Sequence, residues 1–263
     1  MTLGLSSSTA PEAVVAGAVV AELTNLGALD APFMLIGATA RDLHSLTIVG
    51  TPPARATRDV DIAVAVPSWH EYDEIVRALE RAGRHEHTYL VARARVDLVP
   101  FGDLETSERT LEWRDGARMT TFGLREAMTS SVPVLLPGGA SARVPSVPGL
   151  AFLKLASWHD RRLETRRDAV DLATVIGWYS TGHHLDVLYG EAADVLQRYD
   201  FDPVLAGAHR LGQDVAAVLG PGTNRALSIL DEENVSRLTA DMPSTVLDRT
   251  PILRALRAGI AHA

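Results

Sequence analysis

The chain has 263 residues, enough for one large domain or two modest ones with cores of their own. Hydrophobic residues make up 46% and charged residues 22%, the balance of a soluble globular protein. With no cysteine, disulfides and thiolate metal sites are excluded, and a formal charge of −8 excludes a protein that coats nucleic acid by net charge alone, though not a local basic site.

The apolar run Val14 to Val20 is flanked by Glu12 and Glu22, lacks a basic leader and is too short to span a bilayer. It predicts an amphipathic helix over 11–28, capped by Ser8 or Thr9 ahead of Pro11, in a cytoplasmic protein without membrane contact. Phe33 to Ile36 is a short buried strand, followed by a helix from about Thr39 to Leu46 and a loop over 47–57. The alternation in 58–66 predicts a strand ended by Pro67, with Ser68 capping a helix over 69–82. Tyr89 to Phe101 gives one or two strands, 124–129 a helix, and Val132 to Pro148 two strands joined near Gly138 and Gly139. After Gly149 only helices are predicted, over 149–163, 167–179, 186–199, 203–219, 222–239 and 249–261. Mixed strands and helices followed by helices alone predict an α/β domain at 1–148 and a helical domain at 149–263. His183 and His184 fall on a solvated loop, and Asp231 to Glu233 on a solvated helix face.

The segment Arg55-Ala-Thr-Arg-Asp59-Val-Asp61-Ile-Ala-Val-Ala-Val66 carries the most chemistry. Residues two apart share a strand face, so Val60, Ile62, Val64 and Val66 point into a core, with Asp59 and Asp61 on the other side. Two adjacent carboxylates repel, and a divalent cation resolves the repulsion. An Asp-x-Asp pair alone is commonly a solvated strand end. Here Arg95-Val-Asp97-Leu-Val99 offers a third acid between apolar neighbours, and pairing of the two strands would set Asp97 beside the first two. Three such carboxylates suit magnesium, which retains water and phosphate oxygens in its other positions. Upstream, Phe33-Met-Leu-Ile-Gly37-Ala38-Thr39-Ala40-Arg41 is a strand that turns at glycine into a helix. Its free N–H groups are suited to a phosphate, with Arg41 one turn further on.

Gly37-Ala38 followed by Thr57-Arg58-Asp59-Val60-Asp61 and then Asp97 resembles the signature of the DNA polymerase β-like nucleotidyltransferase superfamily. More narrowly, IGATARDL, RATRDVDIAV, VDLVPFGDLE and LAFLKLASWHDR…RRDAVDLATVI resemble the nucleotidyltransferases of the AbiEii/AbiGii toxin class, related to MenT-like toxins. The resemblance spans about residues 33 to 178. It implies an α+β fold, with a polymerase β-like core of mixed sheet flanked by helices, followed by a helical C-terminal domain. Ala38 stands where the superfamily usually has serine or glycine, so a hydroxyl contact to the triphosphate is lacking.

Of the 25 lysines and arginines, Lys154 is the only lysine. A compact ammonium differs from a guanidinium as a point charge on phosphate, and the resemblance places a triphosphate-contacting lysine at this position. It further implies nucleotide binding by Gly37, Ala38, Arg41, Thr57, Lys154 and Arg161, and catalysis by Asp59, Asp61, Asp97, Lys154 and Asp168. Asp59, Asp61 and Asp97 would hold Mg²⁺. Asp97 and Asp168 are alternative general bases, Asp168 also being suited to organise the lysine. Read without the resemblance, Asp168 favours a helix N-terminus and Asp171 pairs with Arg167 or Arg161. Trp158 is either a core residue or a base-stacking surface, and a helical tryptophan favours core.

The expected reaction is attack of an acceptor hydroxyl on the α-phosphorus of an NTP. The resemblance implies RNA as acceptor, typically a tRNA 3′ end, in a toxin–antitoxin system with a possible antitoxin partner. Arg143, Lys154, Arg161, Arg162, Arg166 and Arg167 form the one basic stretch where a polyanion is expected. Transfer to a small molecule, as in aminoglycoside resistance, transfer to a protein, and nucleotide binding without catalysis are the alternatives.

Overall fold

Apolar alternation and a few fixed turns decide how each part of this chain folds. The computed structural model describes residues 2–51, 59–83, 85–244 and 248–262. The chain divides into two compact units, Met1–Ser146 and Val147–Ala263.

In the first unit a short strand β1 (Leu3–Gly4) precedes helix α1 (Pro11–Asn25). Helical spacing buries Ala13, Ala16, Val19, Val20 and Leu23 on one face. Pro11 occupies the first turn, which puts Ala10 at the N-cap instead of Ser8 or Thr9; Ser8 Oγ accepts the Ala10 N–H at 3.2 Å. Next come β2 (Phe33–Leu35), α2 (Gly37–Ile48), β3 (Asp59–Ala65), α3 (Trp69–Val76), β4 (Glu80–Arg81), β5 (Thr88–Val91) and β6 (Ala94–Phe101). Ser68 caps α3 by accepting from the N–H groups of His70 and Glu71. The helix expected over 69–82 ends at Val76. Glu80 and Arg81 pair instead with Leu90 and Tyr89, which gives β5 a partner on its outer side.

These strands form a mixed sheet of order β2-β3-β6-β5-β4, in which β3 and β6 are parallel and the other pairs antiparallel. Val60, Ile62 and Val64 are buried with Val96 and Leu98, their register partners being Val60↔Val96 and Ile62↔Leu98. A small hairpin, β7 (Thr110–Glu112) and β8 (Arg118–Thr120), lacks an apolar repeat long enough to be seen in the sequence. After α4 (Leu124–Thr129), strands β9 (Val132–Leu135) and β10 (Ser141–Val144) pair around Gly138 and Gly139, whose φ angles are 78° and 81°. Strand β1 joins β9 in parallel.

The second unit is helical: α5 (Val147–Arg161), α6 (Arg167–Trp178), α7 (Gly182–Tyr189), α8 (Ala193–Arg198), α9 (Pro203–Leu219), α10 (Thr223–Ile229), α11 (Glu232–Asp241) and α12 (Arg249–Ala261). The helix expected over 186–199 breaks at Gly190. The one expected over 222–239 breaks before Asp231, which caps α11 by accepting the Asn234 N–H at 2.7 Å. His183 and His184 lie in the first turn of α7 instead of a loop, His184 stacking on Tyr179 at 4.1 Å. No helix among the described residues is long and apolar enough to cross a membrane.

Helices α9 and α12 meet through glycines. A Cβ at Gly212 would overlap the Leu256 carbonyl oxygen, and one at Gly259 would overlap that of His209. Backbones this close have no room for a methyl group, and overpacking typically costs about 1–3 kcal/mol. Gly259→Ala is therefore expected to lower the urea midpoint of unfolding by a destabilisation of that size. An unchanged midpoint would show that the two helices separate at no cost.

Candidate active site

The turn between β2 and α2 places the first unit's candidate groups. Leu35 pairs with Ile62, and the Ile36 N–H donates to the Asp61 carbonyl at 2.8 Å, so the chain enters α2 alongside Asp61. Gly37 has φ 63°, and a Cβ there would overlap Asp61 Oδ2. The glycine is thus required both by conformation and by the approach of the carboxylate. The Ala38 N–H donates to Asp61 Oδ2 at 3.3 Å. Thr39 Oγ1 spans the strand on either side of Val60, donating to the Asp59 carbonyl and accepting from the Asp61 N–H, both at 3.4 Å. Farther along α2, His44 and Ser45 are buried and bonded to the carbonyls of Pro145 and Thr51, at 2.8 and 2.9 Å.

Strands β3 and β6 then set the carboxylates side by side. Their parallel register places Asp61 opposite Asp97 and Asp59 opposite Arg95. By strand alternation all four side chains share one face, while the valines and leucines between them fill the other. Asp59 is half exposed and lies 3.9 Å from Arg95 Nε. Asp97 Oδ1 accepts from Thr88 Oγ1 at 2.6 Å. Among the described residues no three histidine, aspartate or glutamate side chains converge as a metal cluster. Asp61 accepts from the Ala38 N–H and Asp97 from the Thr88 hydroxyl, one oxygen of each carboxylate in these contacts. As donors they fit a hard cation: carboxylate oxygens on one face of adjacent strands, beside a glycine whose missing Cβ leaves space at Asp61.

Arg41 is placed differently from a solvent-facing anion ligand. It is 2% exposed, and its Nε donates to Asp42 Oδ1 at 2.7 Å. Thr57 lies outside the described residues.

In the second unit α5 and α6 enclose a four-membered ion cluster. Lys154 is 4% exposed, with Nζ at 2.7 Å from Asp171 Oδ2 and 3.3 Å from Asp168 Oδ1. Arg161 grips Asp168 through Nε at 2.8 Å and Nη2 at 3.1 Å. The i, i+3 spacing of the two aspartates puts both on the α6 face that meets the lysine. Lys154 and Arg161 thus meet the two aspartates, the opposite charges that buried carboxylates require. Burial alone would raise the Asp168 carboxyl, but the Arg161 hydrogen bond and the charges of Lys154 and Arg161 hold it below the usual carboxylate range. Asp171, for which pairing with Arg167 or Arg161 is the reading without the resemblance, lies against the lysine; residue spacing within α6 could not reveal which cation α5 presents. Trp158 is fully buried and donates from Nε1 to Asp241 at 3.0 Å, a core position.

The basic stretch combines internal contacts with exposed arginines. Arg143 bonds Ser131 at 2.6 Å, Arg166 pairs with Asp241 at 3.1 Å, and Arg162 donates to the His159 carbonyl and lies over the Trp158 ring. Lys154 is buried, and Arg167 is exposed.

The profile of the nucleotidyl transferase AbiEii toxin family, a type IV toxin–antitoxin system, matches residues 20–216. The chain belongs to this family. It is a nucleotidyltransferase. The family match begins within α1 and continues beyond the two aspartates of α6 into α9. The chain is also similar to an antigenic nucleotidyltransferase-like protein from Paracoccidioides brasiliensis, at 16% identity, covering 76% of this chain and 93% of that one, with a TM-score of 0.42. It is similar too to the antibiotic-resistance factor ANT(2'')-Ia, at 12% identity over 71% of this chain and 95% of that one, TM-score 0.38. No curated protein matches the chain.

Asp168→Asn leaves Lys154 and Arg161 facing one carboxylate and is expected to destabilise the protein by about 3 kcal/mol, as breaking a buried pair does. Because the folded Asp168 titrates below its unfolded value of about 3.9, its stabilisation is complete above that value and disappears as pH falls through the folded one. The difference in unfolding free energy between wild type and variant, measured by urea titration, should therefore hold steady from about pH 7 to 5 and shrink below about pH 4. A difference that widens on acidification would contradict the assignment.

Proposed function

We propose that this nucleotidyltransferase transfers a nucleoside monophosphate from an NTP to a hydroxyl of RNA, a tRNA 3′ end, as the toxin of a cytoplasmic toxin–antitoxin pair with an antitoxin as partner. The observation that carries the chemistry is the opposition of Asp61 and Asp97, with Asp59 on the same face, beside the Gly37 turn. Support for the toxin role comes from the family, described as a nucleotidyl transferase toxin of a type IV toxin–antitoxin system.

In the proposed reaction the acceptor oxygen attacks the α-phosphorus in line. A new O–P bond forms as the bond from that phosphorus to the β-bridging oxygen breaks, and pyrophosphate leaves with the electron pair. Asp97 takes the hydroxyl proton. Asp168 is the poorer base, because both its oxygens already accept from Lys154 or Arg161. Its task is to hold the lysine, together with Asp171. Magnesium, held by Asp59, Asp61 and Asp97, would neutralise charge on the transferred and leaving phosphates. The Ala38 N–H is the backbone donor offered to phosphate once it exchanges its Asp61 partner. Gly37 keeps that approach clear.

A small-molecule acceptor is the second reading, favoured by the pairing of Arg161 with Asp168 and of Arg166 with Asp241, which offsets part of the positive charge a polyanion would meet. Incubation with Mg²⁺, each α-labelled NTP and total tRNA tests the proposal. Label is expected in RNA, with transfer falling at least about 100-fold in Asp59→Ala/Asp61→Ala and weakening as salt rises. Label entering only small molecules, independently of salt, would favour the second reading; transfer undiminished in the double variant would refute the carboxylate assignment.

A further inference from the structure

The hydrogen bond from Thr88 to Asp97 has a geometry that ordinary strand packing does not require. Thr88 and Asp97 face each other across the antiparallel pair β5–β6. The backbone groups of Thr88 turn away from β6: its N–H donates to the His85 carbonyl at 3.3 Å and its carbonyl accepts from Ala82 at 2.9 Å. The ladder bond instead runs beside the pair, from the Leu98 N–H to the His87 carbonyl at 2.9 Å. Pairs of this kind bring their side chains closer than hydrogen-bonded pairs do. Thr88 is 1% exposed, and its hydroxyl lies 2.6 Å from Asp97 Oδ1. A hydroxyl donating to a carboxylate is a charge-assisted bond, shorter and stronger than a neutral one. On the other side of Asp97 stands Asp61, so the carboxylate is flanked by one donor and one like charge.

We infer that Thr88 is a positioning residue for the transfer reaction: its hydroxyl holds Oδ1 of Asp97 and so restrains the carboxylate that serves the acceptor hydroxyl. The inference rests on the proposed role of Asp97 as base. Thr88 touches neither nucleotide nor acceptor and acts through Asp97 alone. Its hydroxyl is the feature that matters. Serine preserves it, and valine keeps the shape while removing it.

The test uses the full chain with Mg²⁺, NTP and total tRNA, measuring kcat and the KM for NTP in Thr88→Val, Thr88→Ser, Asp97→Asn and the Thr88→Val/Asp97→Asn double variant, with thermal unfolding of each. Thr88→Val is expected to lower kcat about tenfold or more, as loss of a hydrogen bond to a charged group does, with KM for NTP little changed. Thr88→Ser should recover most of that loss, and the valine substitution should add nothing in the Asp97→Asn background. If Thr88→Val fails to fold, Thr88→Ala against Thr88→Ser makes the same comparison. Wild-type kcat in Thr88→Val beside an impaired Asp97→Asn would overturn this inference alone. So would a valine penalty that recurs in full when Asp97 is already asparagine. Wild-type activity in Asp97→Asn would overturn the reading of Asp97 itself, and the role of Thr88 with it.

Discussion

Like charges on one sheet face govern the first unit. Asp59 and Asp61 are two residues apart on β3, and the parallel register adds Asp97 directly across from Asp61. Like charges so placed repel one another, and an apolar strand derives no stability from the repulsion. The fold answers with donors: the Ala38 N–H to Asp61, Thr88 to Asp97 and Arg95 beside Asp59. A divalent cation shared by the three carboxylates would offset their charges together, and this is the physical basis for the proposed chemistry.

The second unit solves a different electrostatic problem. Burying Lys154 costs several kcal/mol unless its charge is matched, and the two aspartates on one α6 face match it. Arg161, about half exposed, restores neutrality by pairing with Asp168. The consequence is a lysine with little freedom to move, its ammonium held by two carboxylates.

Much of this was legible in the sequence because it depends on period. The two-residue alternation of Val60, Ile62 and Val64 fixed both the buried face and the face of the acids, and helical spacing marked α9 and α12 to the residue. Elements set by tertiary pairing were not legible. Glu80 and Arg81 carry no strand signal and are strand only because β5 lies beside them; the β7–β8 hairpin is too short to show alternation. At the site, the same division holds. The acids, Gly37 and Lys154 stand out by residue type and spacing, whereas the burial of Arg41 against Asp42, the turning of Asp171 to Lys154 and the Thr88 contact depend on which element packs where. For the basic stretch, a run of arginines records charge but not which carboxylates, such as Asp168 and Asp241, lie beside it.

Binding of Mn²⁺, an oxygen-seeking stand-in for magnesium that electron paramagnetic resonance detects directly, tests the account at its centre. With NTP present, wild-type protein should bind Mn²⁺, and Asp61→Asn and Asp97→Asn, folded by circular dichroism, should each lose most of that binding. Mn²⁺ binding equal to wild type in both variants would contradict the claim that the opposed carboxylates of β3 and β6 form the metal and catalytic centre.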